Sequence, residues 1–189
     1  MLIPKPEEVD AARYTALRVM KRQGKDDSHE KCEKIIGFLG EIVFARFIAK
    51  FLKNKSISRK QKEQLRRVAE NIANIADFEY DILIGLLKID VKTSTKNYLI
   101  SSKRINDVCY VFMKAITGNE FEDTKFEIAG WCWGYELEKA RPHLNAEFCC
   151  EKLHSKEELF ALILNANGSP VCGDVAAVGV RSENSPQNM

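Results

Sequence analysis

The chain has 189 residues, 45% of them hydrophobic and 30% charged, with a formal net charge of +2. That is enough for one domain with a real core, in a composition ordinary for a soluble protein. The start, Met1 to Pro6, has no hydrophobic export core, and no uncharged run is long enough to span a bilayer. These features argue against a secreted or membrane-spanning protein, and the expectation is an intracellular one, in the cytoplasm or a host's cytoplasm. None of the six cysteines forms a C-x-x-C pair, so they read as reduced packing residues.

Pro6-Glu7-Glu8 suits a helix start, Lys21 and Arg22 suit its end, and Gly24 would stop it. Gly24 to Lys31 reads as an ordinary loop, and His29 within it is set aside as a general base. From about His29 to Lys53 the chain is apolar almost all round between Cys32 and Leu52, which predicts a largely buried helix. Glu41 stands out on it. Its helical neighbours are Gly37, Phe38, Phe44 and Ala45, none of them a cation, so no local ion pair explains it. Gly37 and Gly40 are poor helix formers, and their use would be to let another backbone approach the acid. The plainer alternative pairs Glu41 with a distant Arg or with a turn.

Ser58 and Gln61 form a capping box opening a further helix, with Leu65, Val68, Ala69, Ile72 and Ala76 as its apolar stripe. Between Lys50 and Arg67 stand eight basic residues and one acid, Glu63. Such a run is usually a solvated helix face. With Lys92, Lys96, Lys103 and Arg104 forming a second basic patch, phosphate contact is the preferred reading, and Lys60 and Arg67, seven apart, would share a face.

Tyr80 to Ser94 reads as two short apolar strands joined by a turn at Gly85. On the second strand Asp90 and Lys92 point the same way, about 7 Å apart. Asp81 can lie opposite them across the hairpin. Charges among Ile, Leu and Val are costly unless paired or bound to a metal. Two carboxylates and an ammonium there would suit a hard cation and an activated water. Thr93, Ser94 and Lys96 lie where a phosphate would pass.

Val108–Met113 and Phe126–Trp131 read as two more strands, with a polar turn from Gly118 to Lys125. Trp131 and Trp133 could stack on bases, but closing one end of a core is preferred. His143, Cys149, Cys150 and His154 lack a zinc spacing and read as packing residues. Ser155 and Glu158 cap a short helix before Leu159 and Ile163. From Asn165 onward turn formers dominate, so 1–165 reads as one domain with a helical insertion at about 55–76, and 166–189 as a loosely attached tail.

Asp81, eight intervening residues, then Asp90-Val91-Lys92, preceded by Gly37-Phe38-Leu39-Gly40-Glu41, resembles the PD-(D/E)XK nuclease superfamily over about residues 29 to 135. Tyr80 replaces the proline of the family's name and Asp90 takes a position often held by Glu. The resemblance implies a small stand-alone α/β protein with a restriction-endonuclease-like core, a central mixed sheet flanked by helices. It implies a metal-dependent nuclease acting on DNA, with RNA left open. Asp81, Asp90, the Val91 carbonyl and Glu41 would hold Mg²⁺, or alternatively Mn²⁺, and Glu41, Asp81, Asp90 and Lys92 would be catalytic. The alternatives are a nuclease-fold protein that binds DNA without cutting, a homodimeric Holliday-junction resolvase, an end-processing exonuclease, and a structural subunit.

Overall fold

The computed structural model describes residues 1–24, 27–53, 80–96, 98–101, 105–140, 146–149 and 153–168. The helix expected at 55–76, with Lys60 and Arg67, lies outside them, as do Lys103, Arg104, His143, Cys150 and the segment from 169.

Helix α1, Pro6–Gln23, starts and stops where its residues imply: Gly24 takes φ 65 and donates its N–H to the Lys21 carbonyl at 3.3 Å. Helix α2 spans Ser28–Lys53. The loop expected to reach Lys31 ends earlier, because Asp27 Oδ1 accepts the N–H groups of His29 at 2.7 Å and Glu30 at 3.2 Å. Those bonds hold the Asp27 carboxyl below its ordinary range.

The sheet follows. Strands β1 (Ile82–Ile84) and β2 (Leu87–Ser94) form the expected hairpin, in register Ile82 to Ile89. Gly85 opens the two-residue turn with φ 59, a conformation that glycine adopts without strain. After β3 (Tyr98–Ser101) comes β4 (Val108–Ile116), which lies parallel to β2 with Asp90 beside Tyr110 and Lys92 beside Phe112. A 3₁₀ turn at Phe121–Asp123 leads to β5 (Lys125–Trp133), antiparallel to β4. Then come α3 (Gly134–Ala140), β6 (Ala146–Cys149) and α4 (Lys156–Gly168). The strand order is β1-β2-β4-β5, with β3 and β6 in a second, two-stranded sheet. The protein is thus α/β, a four-stranded mixed sheet flanked by helices.

The pleat sends alternate residues to two cores. Ile89, Val91, Val111 and Met113 pack with α1, α2 and α4, while Tyr110, Phe112 and Cys132 pack with Leu137 of α3. Ser155 and Glu158 cap α4 reciprocally, with Ser155 N–H to Glu158 at 2.8 Å and Glu158 N–H to the Ser155 hydroxyl at 3.2 Å. That helix continues to Gly168, beyond Asn165, where turn-forming residues had suggested its end. Trp131 is buried in the core, as expected, against the tilted ring of His154 with centroids 4.6 Å apart. Glu136 holds His154 Nε2 at 2.9 Å, so His154 is a packing residue. Cys109 and Cys132 are buried free thiols, and burial pushes both up, Cys132 to about 12, whereas Cys32 is exposed. Among the described residues no helix is long and apolar enough to cross a membrane.

One ion pair pins α1 to α2. Buried Glu8 accepts the Lys5 N–H at 2.8 Å and meets Arg46 Nε at 2.9 Å, and Arg46 also donates to the Ile3 carbonyl at 2.6 Å. Arg46→Ala strands that carboxylate. We expect a loss of about 1–3 kcal/mol, read as a lower urea midpoint with an unchanged slope.

Candidate functional site

β1 begins one residue after Asp81, so it runs out before covering the far half of β2. Asp81 takes over from the strand there. Its own N–H donates to the Ile89 carbonyl at 2.8 Å, and its Oδ2 accepts the Val91 N–H at 2.7 Å. A carboxylate therefore satisfies a backbone donor that would otherwise lack a ladder partner. On the next residues Asp90 is buried, and Lys92 Nζ donates to Asp90 Oδ1 at 2.7 Å. The period of two that placed these side chains on one face is borne out by that contact.

Glu41 lies on α2 near enough to feel the charges of Asp81, Asp90 and Lys92, but the three acids are not drawn together into a group that could hold a metal ion. Removal from water pushes Glu41 well above the ordinary carboxylate range, Asp81 and Asp90 add to the rise, and Lys92 opposes it. Asp81 is raised to about 7, first by burial, then by the charge of Asp90, against the pull of Lys92 and the Val91 N–H. Burial alone would lower the Lys92 ammonium, but Asp90, Asp81 and Glu41 outweigh it and raise its pKa. One ammonium serves three acids. At neutral pH the cluster therefore retains protons that isolated carboxyls would have lost.

The glycines of α2 play a different part from the one expected. Gly37 has open space beside it. Gly40 abuts a side chain rather than a backbone: a Cβ there would stand 2.0 Å from Thr93 Oγ1 and 3.0 Å from Thr93 Cβ. That contact sets how closely the Glu41 turn lies on β2. Thr93 Oγ1 is itself buried without a hydrogen-bond partner, so it faces the helix and not solvent. Ser94 is half-buried and Lys96 exposed, and the Ser94 hydroxyl accepts the Lys96 N–H at 3.0 Å.

Sequence reasoning missed the space beside the cluster. A cavity of about 220 Å³ opens between α2 and the end of β2, with Glu33 and Ile36 on one side and Lys92, Ser94 and Lys96 on the other. The signal was available in the helical spacing of Glu33, Ile36 and Gly40, three and four residues apart. Among the described residues no group of three or more His, Cys, Asp or Glu side chains is set to hold a metal ion unaided. No protein-family model, curated protein or solved structure matches this chain.

Gly40→Ala should destabilise by about 1–3 kcal/mol although Ala is the better helix former, because overpacking outweighs propensity. Gly37→Ala should stabilise by up to about 1 kcal/mol, since nothing stands in its way. Parallel urea unfolding of the two variants checks both.

A second prediction concerns pH. Asp81 ionises near its ordinary value when unfolded but near 7 when folded, so the folded state binds more protons between these points. Stability without metal must then fall as pH rises through that window. Asp81→Asn keeps an acceptor for the Val91 N–H and removes the charge. It should be more stable than wild type at pH 8, with the gain vanishing near pH 4, as unfolding at both pH values would show.

Proposed function

We propose that this chain is a metal-dependent nuclease hydrolysing DNA phosphodiester bonds, built on a restriction-endonuclease-like core. The observation that supports it is convergence. Glu41, Asp81, Asp90 and Lys92, singled out by spacing and by family resemblance, lie near enough to act on one another's charges, with Asp90 buried and the other three half-buried.

The donor chemistry fits Mg²⁺, with Mn²⁺ as the alternative. All the acids offer oxygen, and Mg²⁺ is commonly held by one or two carboxylates with waters and substrate phosphate filling the rest. That habit is compatible with the lack of a three-residue cage among the described residues. Asp81 and Asp90 would hold the ion with the Val91 carbonyl, and Glu41 would hold a second ion or a metal-bound water. When bound, the ion supplies a water of lowered pKa and polarises the phosphate. Lys92, kept charged by its acidic neighbours, orients the attacking water and steadies the negative charge growing on the phosphate oxygens. Asp90 fixes the ammonium in place through the 2.7 Å bond. Ser94, Lys96 and, if its side chain turns, Thr93 would meet the substrate backbone. Lys60 and Arg67 belong to this proposal as further phosphate contacts, argued from sequence alone.

A specific observation favours the rival reading, a nuclease-fold protein that binds DNA without cutting it. Lys92 is already bonded to Asp90, and Asp81 to the Val91 N–H, as in a purely structural charge cluster. Metal titration separates the two. In the nuclease, Asp81 and Glu41 would give up protons on binding Mg²⁺, so proton release near pH 6 would accompany binding and be smaller in Asp81→Asn.

Asp90→Asn and Lys92→Ala should each lower Mg²⁺-dependent cleavage by about a thousandfold or more while the protein stays folded. Plasmid nicking by purified protein, with chelator as control, measures it. Wild-type cleavage rates in either variant would exclude the mechanism.

A further inference from the structure

We propose that the cavity between α2 and the end of β2 receives one unpaired nucleotide beside the cleaved bond, so that single-stranded DNA is preferred over continuous duplex. The proposal rests on the nuclease reading of the adjacent cluster. Lys92 belongs both to that cluster and to the cavity wall, which places any occupant next to the attacked phosphate.

The size is the first argument. About 220 Å³ lies below the ~300–1,000 Å³ of clefts that take drug-sized ligands, and gives room for one base with its sugar and phosphate left toward the open side. The lining is the second. Ile36, half-buried in the cavity wall, gives apolar contact, which suits the face of a base, whereas a duplex hides base faces in its stack and offers only edges and phosphates. Charge placement is the third. The cations Lys92 and Lys96 stand on the strand side, suited to phosphate, and the carboxylate of Glu33 stands on the helix side, where phosphate is repelled. An occupant is therefore oriented with its phosphate toward β2 and its base toward Ile36 and Glu33. A carboxylate there accepts hydrogen bonds from a base amino group.

The test is binding, in chelator, of a short labelled single strand and of its blunt duplex. Wild type should favour the single strand by about tenfold. Ile36→Trp, which fills the cavity, should erase that preference and leave duplex affinity unchanged. Glu33→Trp, at an exposed position, should do the same by blocking the mouth without touching the core. Circular dichroism confirms that the variants are folded. Equal wild-type affinity for both forms overturns the proposal, and so does a folded Glu33→Trp variant that keeps the full preference. Cleavage with Mg²⁺, run alongside, separates the two readings. Cleavage without strand preference removes the cavity assignment alone, whereas strand preference without cleavage of any substrate supports the cavity and removes the nuclease.

Discussion

Three carboxylates and one ammonium brought near one another beside β2, with Asp90 buried and the rest half-buried, are the constraint around which this molecule is arranged. Burial makes each charge costly, and Lys92 can compensate only part of the negative excess. The fold tolerates the arrangement by holding protons and by giving Asp81 a backbone task, the Val91 N–H at 2.7 Å.

The surrounding elements keep that edge rigid. β2 is paired with β4 along its length, from Lys88 to Ser94, and on its other side β1 reaches only to Ile89, after which the Asp81 carboxylate takes the Val91 N–H, so the Asp90 and Lys92 backbone is held by the β4 ladder and by that side chain. α2 buries one side, with Ile35, Leu39, Ile42 to Ala45, Ile48 and Leu52 in the core, and is tied to α1 by the Glu8–Arg46 pair. Glu41 therefore approaches from an element that packing holds in place. Phe112, beside Lys92 on β4, is buried in the second core and backs that strand.

Much of the fold was legible because its signals are local. The hairpin followed from alternation around Gly85, α1 from its charges and Gly24, and α4 from the Ser155–Glu158 box. The cluster was legible because residues two apart on a strand must share a face, and because an acid in an apolar helix without a local partner needs a distant one. What escaped was tertiary. β3, β6 and α3 carry weak or short patterns, and nothing in the sequence announces the small second sheet. The role of Gly40 escaped for a related reason: a glycine states that something comes close, and only coordinates say that it is Thr93. Asp27 was passed over because a polar loop and a helix cap draw on the same residues.

The placement of the four charged residues along the chain bears on how the protein folds. Asp81, Asp90 and Lys92 meet inside one hairpin, a contact between near neighbours that closes quickly. Pairing of β2 with β4 is parallel and requires a longer excursion, and Glu41 joins only when α2 docks from far upstream. Assembly is therefore graded. The electrostatic conflict is complete only at the docking of α2, after the hairpin has supplied Lys92 as a counter-charge. The hairpin can act as a nucleus without carrying the full repulsion, and the penalty falls on the late, packed state, where it speeds unfolding more than it slows folding.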